Sequence, residues 1–458
     1  MSEEQPNTTV QKTELENGVR VLSERMPGVR SVSVGVLVDV GSKDETSTER
    51  GYAHLLEHML FQGTGARDAG AIAEMMEIGG GAMGAFTARD YTVYHATVLD
   101  EYLPFALEVL GDMLCNSILP ADALEHQRSV VLNEISGQND PLEQSNLLMK
   151  SALWPGHPLG YPTVGLKHTI QTASRPTLID FMQRHYSGKK LVVAAAGNVD
   201  HASFADQTRD SFWSMSANEP PGSTAVPPDV QLGTLVAETR DTGHVYFSMA
   251  WPAPAYTDPD RYAWHVFATL FGGGPNSRLY RKLREAQGLV YHVAAEYQAY
   301  GNTGALVVEG STLPEALVPV LAGILIELFK LGEEVVNPDD LHRVKQSLIS
   351  QHLISGDSAY VRMSRLALQD QYFRRPISSD DVIAGLRAQS PDSIQQVSNT
   401  VCGYGIPTMA LVGSIDDTSL AQVATMLEDL GGTPTVQLVN SNGAMQEHIE
   451  PALEAVAD

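Results

Sequence analysis

An α+β fold in two homologous halves is the class this sequence predicts, and three observations predict it. The order of elements repeats, with a strand, a helix, a glycine stop and a strand-rich stretch occurring once before residue 214 and again after residue 232. A distinctive passage is echoed: VLDEYLPFALEVLGDML in the first half and GSTLPEALVPVLAGILIELF in the second both read as a strand end, a Pro-marked helix start and a long apolar stripe. Between them, residues 214–232 have the Pro, Ser and Gly content of a linker. The expected organisation is therefore an N-terminal domain over 1–213, a linker over 214–232, a C-terminal domain over 233–436 and a disordered polar, acidic tail over 437–458.

Along the chain, residues 1–12 are polar and expected to be loose. Asn17 and Gly18 mark a turn, and valines at 32, 34, 36, 38 and 40 make a period-two strand. A helix follows at 51–63. A second, 69–78, stops at three consecutive glycines, 79–81. Residues 84–98, GAFTARDYTVYHATV, are rich in strand formers, and an exposed strand of this kind can accept an extended peptide by main-chain pairing. Residues 101–114 and 121–135 carry helical periodicity, 163–185 is a further helical region, and 191–199 reads as a buried strand. In the second half the strand is 245–251, the helix 259–271 with its stop at 272–274, and a hairpin spans 291–310 with its turn near Gly301 and Asn302.

Composition excludes several classes. At 43% hydrophobic and 19% charged residues the chain has ample material for a core. Its 55 acids outnumber 30 Lys and Arg, and a net charge of −25 weighs against nucleic acid as a partner and for solubility or basic ligands. No apolar run approaches the roughly 18 residues that a membrane span needs, and no signal-peptide pattern is visible at the start, so a cytoplasmic location is expected. Cys115 and Cys402 are far apart and in neither a metal nor a redox spacing. The glycine-rich GGGPNSRLY lacks the phosphate-loop pattern.

Chemistry concentrates in GYAHLLEHMLFQGT, residues 51–64. On a helix His54 and His58 lie one turn apart on one face, with Glu57 close beside both. Imidazole is a preferred zinc ligand, and a carboxylate that faces the open coordination position without filling it can take a proton from water. H-x-x-E-H is the inverted form of the zinc-peptidase helix. Leu55, Leu56, Met59 and Leu60 form the apolar side that a buried helix requires. A second helix, with Leu124, Val131 and Ile135 at helical spacing, offers Glu134 beside its stripe as a third ligand. Packing histidines remain the commoner explanation of such a pair taken alone.

HLLEHMLFQGT, followed seventy-six positions after the second histidine by the Glu of VVLNEI, resembles the pitrilysin family of inverted zinc metallopeptidases, and within it the branch of mitochondrial processing peptidase and its bacterial relatives. GVRVLSERMPGVRSVSVGVLVDVGSKDE, GAFTARDYTVY, HPLGYPTVG and LVVAAAGNVDH are similar to family blocks in family order, so the likeness covers nearly the whole chain. It implies that each half is a largely antiparallel sheet packed with helices, and that one zinc ion per chain is held by His54, His58 and Glu134. Glu57 would act as general base, and subunits would pair, as a homodimer or as a heterodimer with a related chain, around a chamber that admits peptide substrates. Substrate would run along the strand of Gly84, Ala85, Phe86 and Thr87. Arg284 and Tyr291, seven apart, match a pair from the later half that binds substrate and its developing negative charge; by pattern alone they are an ordinary surface residue and an ordinary core residue. Two departures stand out: the family has Asn at the position of Gly84, and many active members have Glu at the position of Gln127, two helical turns before the third ligand. An alternative within the same resemblance is a non-catalytic or partner-dependent structural subunit.

Overall fold

The computed structural model describes residues 10–78, 81–137, 140–218, 227–439 and 445–447. The first half runs β1 (Val10–Glu14), β2 (Arg20–Arg25), β3 (Ser31–Val38), α1 (Tyr52–Leu60), α2 (Ala69–Ile78), β4 (Ala82–Thr87), β5 (Thr92–Leu99), α3 (Leu103–Asn116), α4 (Ala121–Gly137), α5 (Pro141–Leu153), α6 (Lys167–Thr172), α7 (Arg175–His185), β6 (Leu191–Gly197) and α8 (His201–Ser211). The second runs β7 (Thr234–Thr239), β8 (Val245–Ala253), α9 (Arg261–Gly272), β9 (Val290–Ala299), β10 (Gly304–Thr312), α10 (Leu317–Glu333), α11 (Pro338–Ser355), α12 (Ala359–Phe373), α13 (Ser379–Arg387), α14 (Pro391–Gly403), β11 (Thr408–Gly413), α15 (Asp417–Asp429), β12 (Thr435–Val439) and β13 (Met445–Glu447). Among the described residues no helix is long and apolar enough to cross a membrane.

Each half builds one mixed sheet. The first has the order β1-β2-β6-β3-β5-β4, with only the β2/β6 pair parallel; the second has the order β13-β12-β7-β11-β8-β10-β9, with β12/β7 and β7/β11 parallel. Both are therefore largely antiparallel. Side-chain alternation divides each strand between two cores. In β3, Val32, Val34, Val36 and Val38 join the helices of one face, whereas Leu37 turns to the other. In β8, Phe247, Met249 and Trp251 face one core and Ala250 the opposite one. Sheets buried on both faces must be apolar on both, which explains why LVVAAAG of β6 lacks alternation altogether.

The chain folds into two compact units whose membership crosses the sequence midpoint. One takes Met1–Gly137, Pro162–Ala225 and Gln351–Ser379; the other takes Gln138–Tyr161, Val226–Ser350 and Asp380–Asp458. The contiguous division at 214–232 expected from the sequence is thus modified by two exchanged segments. α5 belongs to the second unit, where Leu148, Met149, Ala152, Leu153 and Trp154 cover one face of its sheet. α12 belongs to the first, where Met363, Leu366 and Ala367 pack on Leu22, Leu37 and Val192. Residues 219–226 of the expected linker lie outside the described residues.

Of the tail expected to be disordered over 437–458, residues 440–444 and 448–458 lie outside the described residues, and the remainder is strand. Gln437–Val439 complete β12, whose backbone pairs with β7, and Met445–Glu447 form β13 beside it. β12 alternates like the other strands: Val436 and Leu438 pack against one core of its sheet and Val439 against the opposite one.

Candidate metal centre

The helix α1 is fastened at its start by a neighbour that the sequence analysis passed over. Gly51, at φ +94°, precedes the first turn, and a Cβ there would lie 2.7 Å from the Gly165 Cα and 2.8 Å from the Val164 carbonyl oxygen. Only glycine fits. Glycine offers no capping side chain, so the buried Glu45 does it instead: its two carboxylate oxygens accept from the Gly51 and Ala53 N–H groups, each at 2.8 Å. Burial pushes the Glu45 carboxyl up to about 8, against the pull of those two N–H groups. Tyr52, Ala53, Leu55, Leu56, Met59 and Leu60 are buried on one side of α1, which leaves His54, Glu57 and His58 together on the other.

On α4, Leu124, Gln127 and Val131 are buried and Glu134 reaches over the histidines. His54 Nε2 lies 3.7 Å from Glu134 Oε2, and His58 Nε2 lies 3.8 Å from Glu134 Oε1. Donor atoms of all three fall within 4.8 Å of one another, the only such three-residue group among the described residues. A tetrahedral zinc with bonds near 2.0–2.1 Å separates its ligands by about 3.4 Å. The two imidazole–carboxylate spacings exceed that by a few tenths of an ångström and the widest separation, within 4.8 Å, by up to about 1.4 Å; two imidazoles with a carboxylate are a donor set that catalytic zinc uses.

The two histidines are held differently. Gln127 Oε1 lies 3.2 Å from His58 Nδ1, which as an acceptor assigns the proton to Nδ1 and leaves the Nε2 lone pair facing Glu134. His54 Nδ1 is buried with no hydrogen-bond partner among the described residues. Burial, with His58 alongside, drops His54 to about 4, so it is neutral at pH 7 as a metal ligand must be. Burial raises the Glu57 carboxyl, partly countered by hydrogen bonds from Thr87.

The substrate strand expected from the sequence is β4, the terminal strand of its sheet, paired only with β5. Its faces divide. Met83 and Ala85 pack with the core that includes α1, and the Thr87 hydroxyl donates to Glu57 Oε2 at 2.5 Å. Thr87, on the strand expected to carry substrate, has its side chain committed to Glu57. Gly84 faces away from α1, opposite His95, whose ring atoms lie 3.2 Å from where a Cβ would stand. Phe86 shares that side and meets Tyr91 edge-on.

Arg284 and Tyr291 belong to the second unit and come together within it. The Arg284 guanidinium lies 5.4 Å from the centre of the Tyr291 ring and 4.8 Å from that of Tyr280. Tyr291 is 76% exposed, so the expectation of an ordinary core tyrosine does not apply to it. Arg284 sits in a π-helical segment, Tyr280–Ala286, and Gly288 at φ +65° turns the chain back into β9. Tyr280, the last residue of GGGPNSRLY, carries one signal of this contact in the sequence: an aromatic residue four positions before an arginine.

Two α+β sheets with an inverted H-x-x-E-H helix and a carboxylate converging from a second helix define a class of zinc-peptidase fold. The chain belongs to the insulinase family, peptidase family M16, whose model matches residues 20–166, while the model described as the peptidase M16 inactive domain matches 172–348. An uncharacterized zinc protease of Streptomyces coelicolor is 32% identical over 418 residues, covering 89% of this chain and 90% of the relative. Another, from Mycobacterium tuberculosis, is 33% identical over 414 residues, covering 88% and 93%. Among solved structures, a protease from Helicobacter pylori superposes with a TM-score of 0.81 at 20% identity, covering 89% of this chain and 99% of that one. The peptidase M16 inactive domain from Pseudomonas fluorescens gives 0.83 at 19%, covering 88% and 98%. At such identities these two speak for the fold alone.

Proposed function

We propose that the protein is a zinc-dependent endopeptidase acting on short or unfolded peptides, inside a chamber closed by subunit pairing. The observation that carries the reading is the convergence of His54, His58 and Glu134 from two separate helices, with Glu57 one residue from His58 on the same side of α1. The relatives named zinc proteases support it. One zinc ion per chain, held by those three residues, supplies Lewis acidity that polarises a carbonyl and acidifies water.

The chain's own residues supply the rest. Glu57 takes the proton from the attacking water and returns it to the departing amine, a task suited to a carboxylate whose basicity burial has raised. Extended peptide adds to the free edge of β4 through main-chain hydrogen bonds, which binds many sequences without strong selection. Arg284 and Tyr291 are assigned the substrate and its developing oxyanion on family resemblance; their mutual contact supports their acting as a pair. The deciding experiment is hydrolysis of a quenched peptide by the wild type and by Glu57→Gln, with zinc quantified in both. We expect equal zinc and a loss of at least ~100-fold in kcat for the variant. Zinc-loaded wild type that cleaves no peptide would identify a structural subunit of the same fold instead.

A further inference from the structure

The Glu57 carboxylate is gripped from the strand side. Its Oε2 accepts from the Thr87 hydroxyl at 2.5 Å. α1 and β4 are separate elements, so this contact sets the Glu57 rotamer against something other than its own helix. Thr87 itself cannot drift. It ends β4 in register with Thr92, and the fully buried Thr92 hydroxyl donates to the Val40 carbonyl at 2.9 Å. A threonine hydroxyl has one proton, and here that proton is spent on Oε2. Oε1 is left as the oxygen free to face a reactant.

We propose that Thr87 is a positioning residue, which ties Glu57 Oε2 so that Oε1 stays aimed at the attacking water. This rests on the reading of Glu57 as general base. A glutamate with three rotatable bonds samples several rotamers when untied, and a general base works only within hydrogen-bond reach of the proton it takes. Misplacement by about 1 Å costs on the order of 100-fold in rate.

The test compares Thr87→Val, isosteric without the donor, and Thr87→Ser, which keeps it. For Thr87→Val we expect kcat to fall about 10- to 100-fold with KM within about twofold, zinc content unchanged, and Thr87→Ser to recover most of the rate. A raised KM at unchanged kcat would make Thr87 a substrate contact, and a serine variant as impaired as the valine one would make it a packing residue; either overturns the proposal. A second arm needs no activity. In the metal-free protein, Thr87→Val should lower the urea midpoint when Glu57 is present and leave it unmoved in a Glu57→Ala background. Equal shifts in both backgrounds would show that the hydroxyl and the carboxylate are uncoupled. Full activity of Glu57→Gln would overturn the general-base reading on its own, whatever the cycle shows, so the two failures are distinguishable.

Discussion

His58 owes its orientation to an amide rather than a carboxylate. Gln127 accepts from Nδ1 at 3.2 Å and is buried, so the bond is sheltered from water but carries no formal charge. An anionic acceptor would make the ring a stronger base and the ion better held. Gln127→Glu should therefore tighten zinc binding by about tenfold, and Gln127→Leu should weaken it about 10- to 100-fold, read by competition against a calibrated chelator. Unchanged affinity in both variants would remove Gln127 from the account. A second residue gives a pH signature. Asp44, in the turn before α1, accepts from the Gly41 N–H at 3.0 Å, and burial pushes its carboxyl up to about 6 from an ordinary 3.8. Because the folded-state value is the higher one, the protonated carboxyl contributes its full stability below about pH 4 and loses it as pH rises through 6. Relative to Asp44→Asn, which keeps an acceptor for Gly41 but does not titrate, the wild type should lose on the order of 3 kcal/mol between pH 4 and pH 7. Urea midpoints across that range check it, and parallel profiles would refute it.

Among elements, α12 shows most clearly what periodicity leaves open. It docks on the first sheet through Met363, seated where Gly35 of β3 lacks a Cβ, and through Asp370, fully buried. Asp370 pairs with Arg20 Nε at 2.6 Å and with Lys12. Removing one partner of a buried pair strands the other charge, so Asp370→Asn should cost about 3–5 kcal/mol, measured by equilibrium unfolding. A cost below about 1 kcal/mol would show that water reaches Arg20. Some helices are open to sequence reading where glycine or proline marks an end: the expected 69–78 matches the observed bounds, and the expected 101–114 differs by a shift of two residues. α5 and α12 were not assigned at all. Their apolar faces require a cover, but a 3.6-residue period does not say which sheet provides it. The same holds for β12, whose Val436 and Leu438 alternate as a strand's do but whose five residues do not specify β7 as the neighbour they pair with.

At the scale of the whole molecule, the proposed function calls for a partner. One chain carries both the metal set and the Arg284–Tyr291 pair, so two copies suffice for complete sites by complementation. Light scattering on the purified protein should give twice the 49.5 kDa chain mass together with peptidase activity. An inactive monomer that gains activity when a related chain is added would replace the homodimer with a heterodimer. Cleavage of a folded globular protein as fast as a peptide would count against a chamber.

The sequence by itself determined what local spacing and composition can encode. Residues four apart on a helix share a face, so His54, Glu57 and His58 were bound together before any fold existed. Alternating valines required a sheet, and two repeated orders of elements required two similar halves. Tertiary structure alone decided what distant parts do for one another: Glu45 capping α1, Gln127 turning His58, Thr87 holding Glu57, α5 and α12 each joining the unit that the other half of the chain begins. Those pairings depend on which surfaces remain uncovered once the sheets have formed, and uncovered surface is a property of the folded packing that no run of neighbouring residues contains.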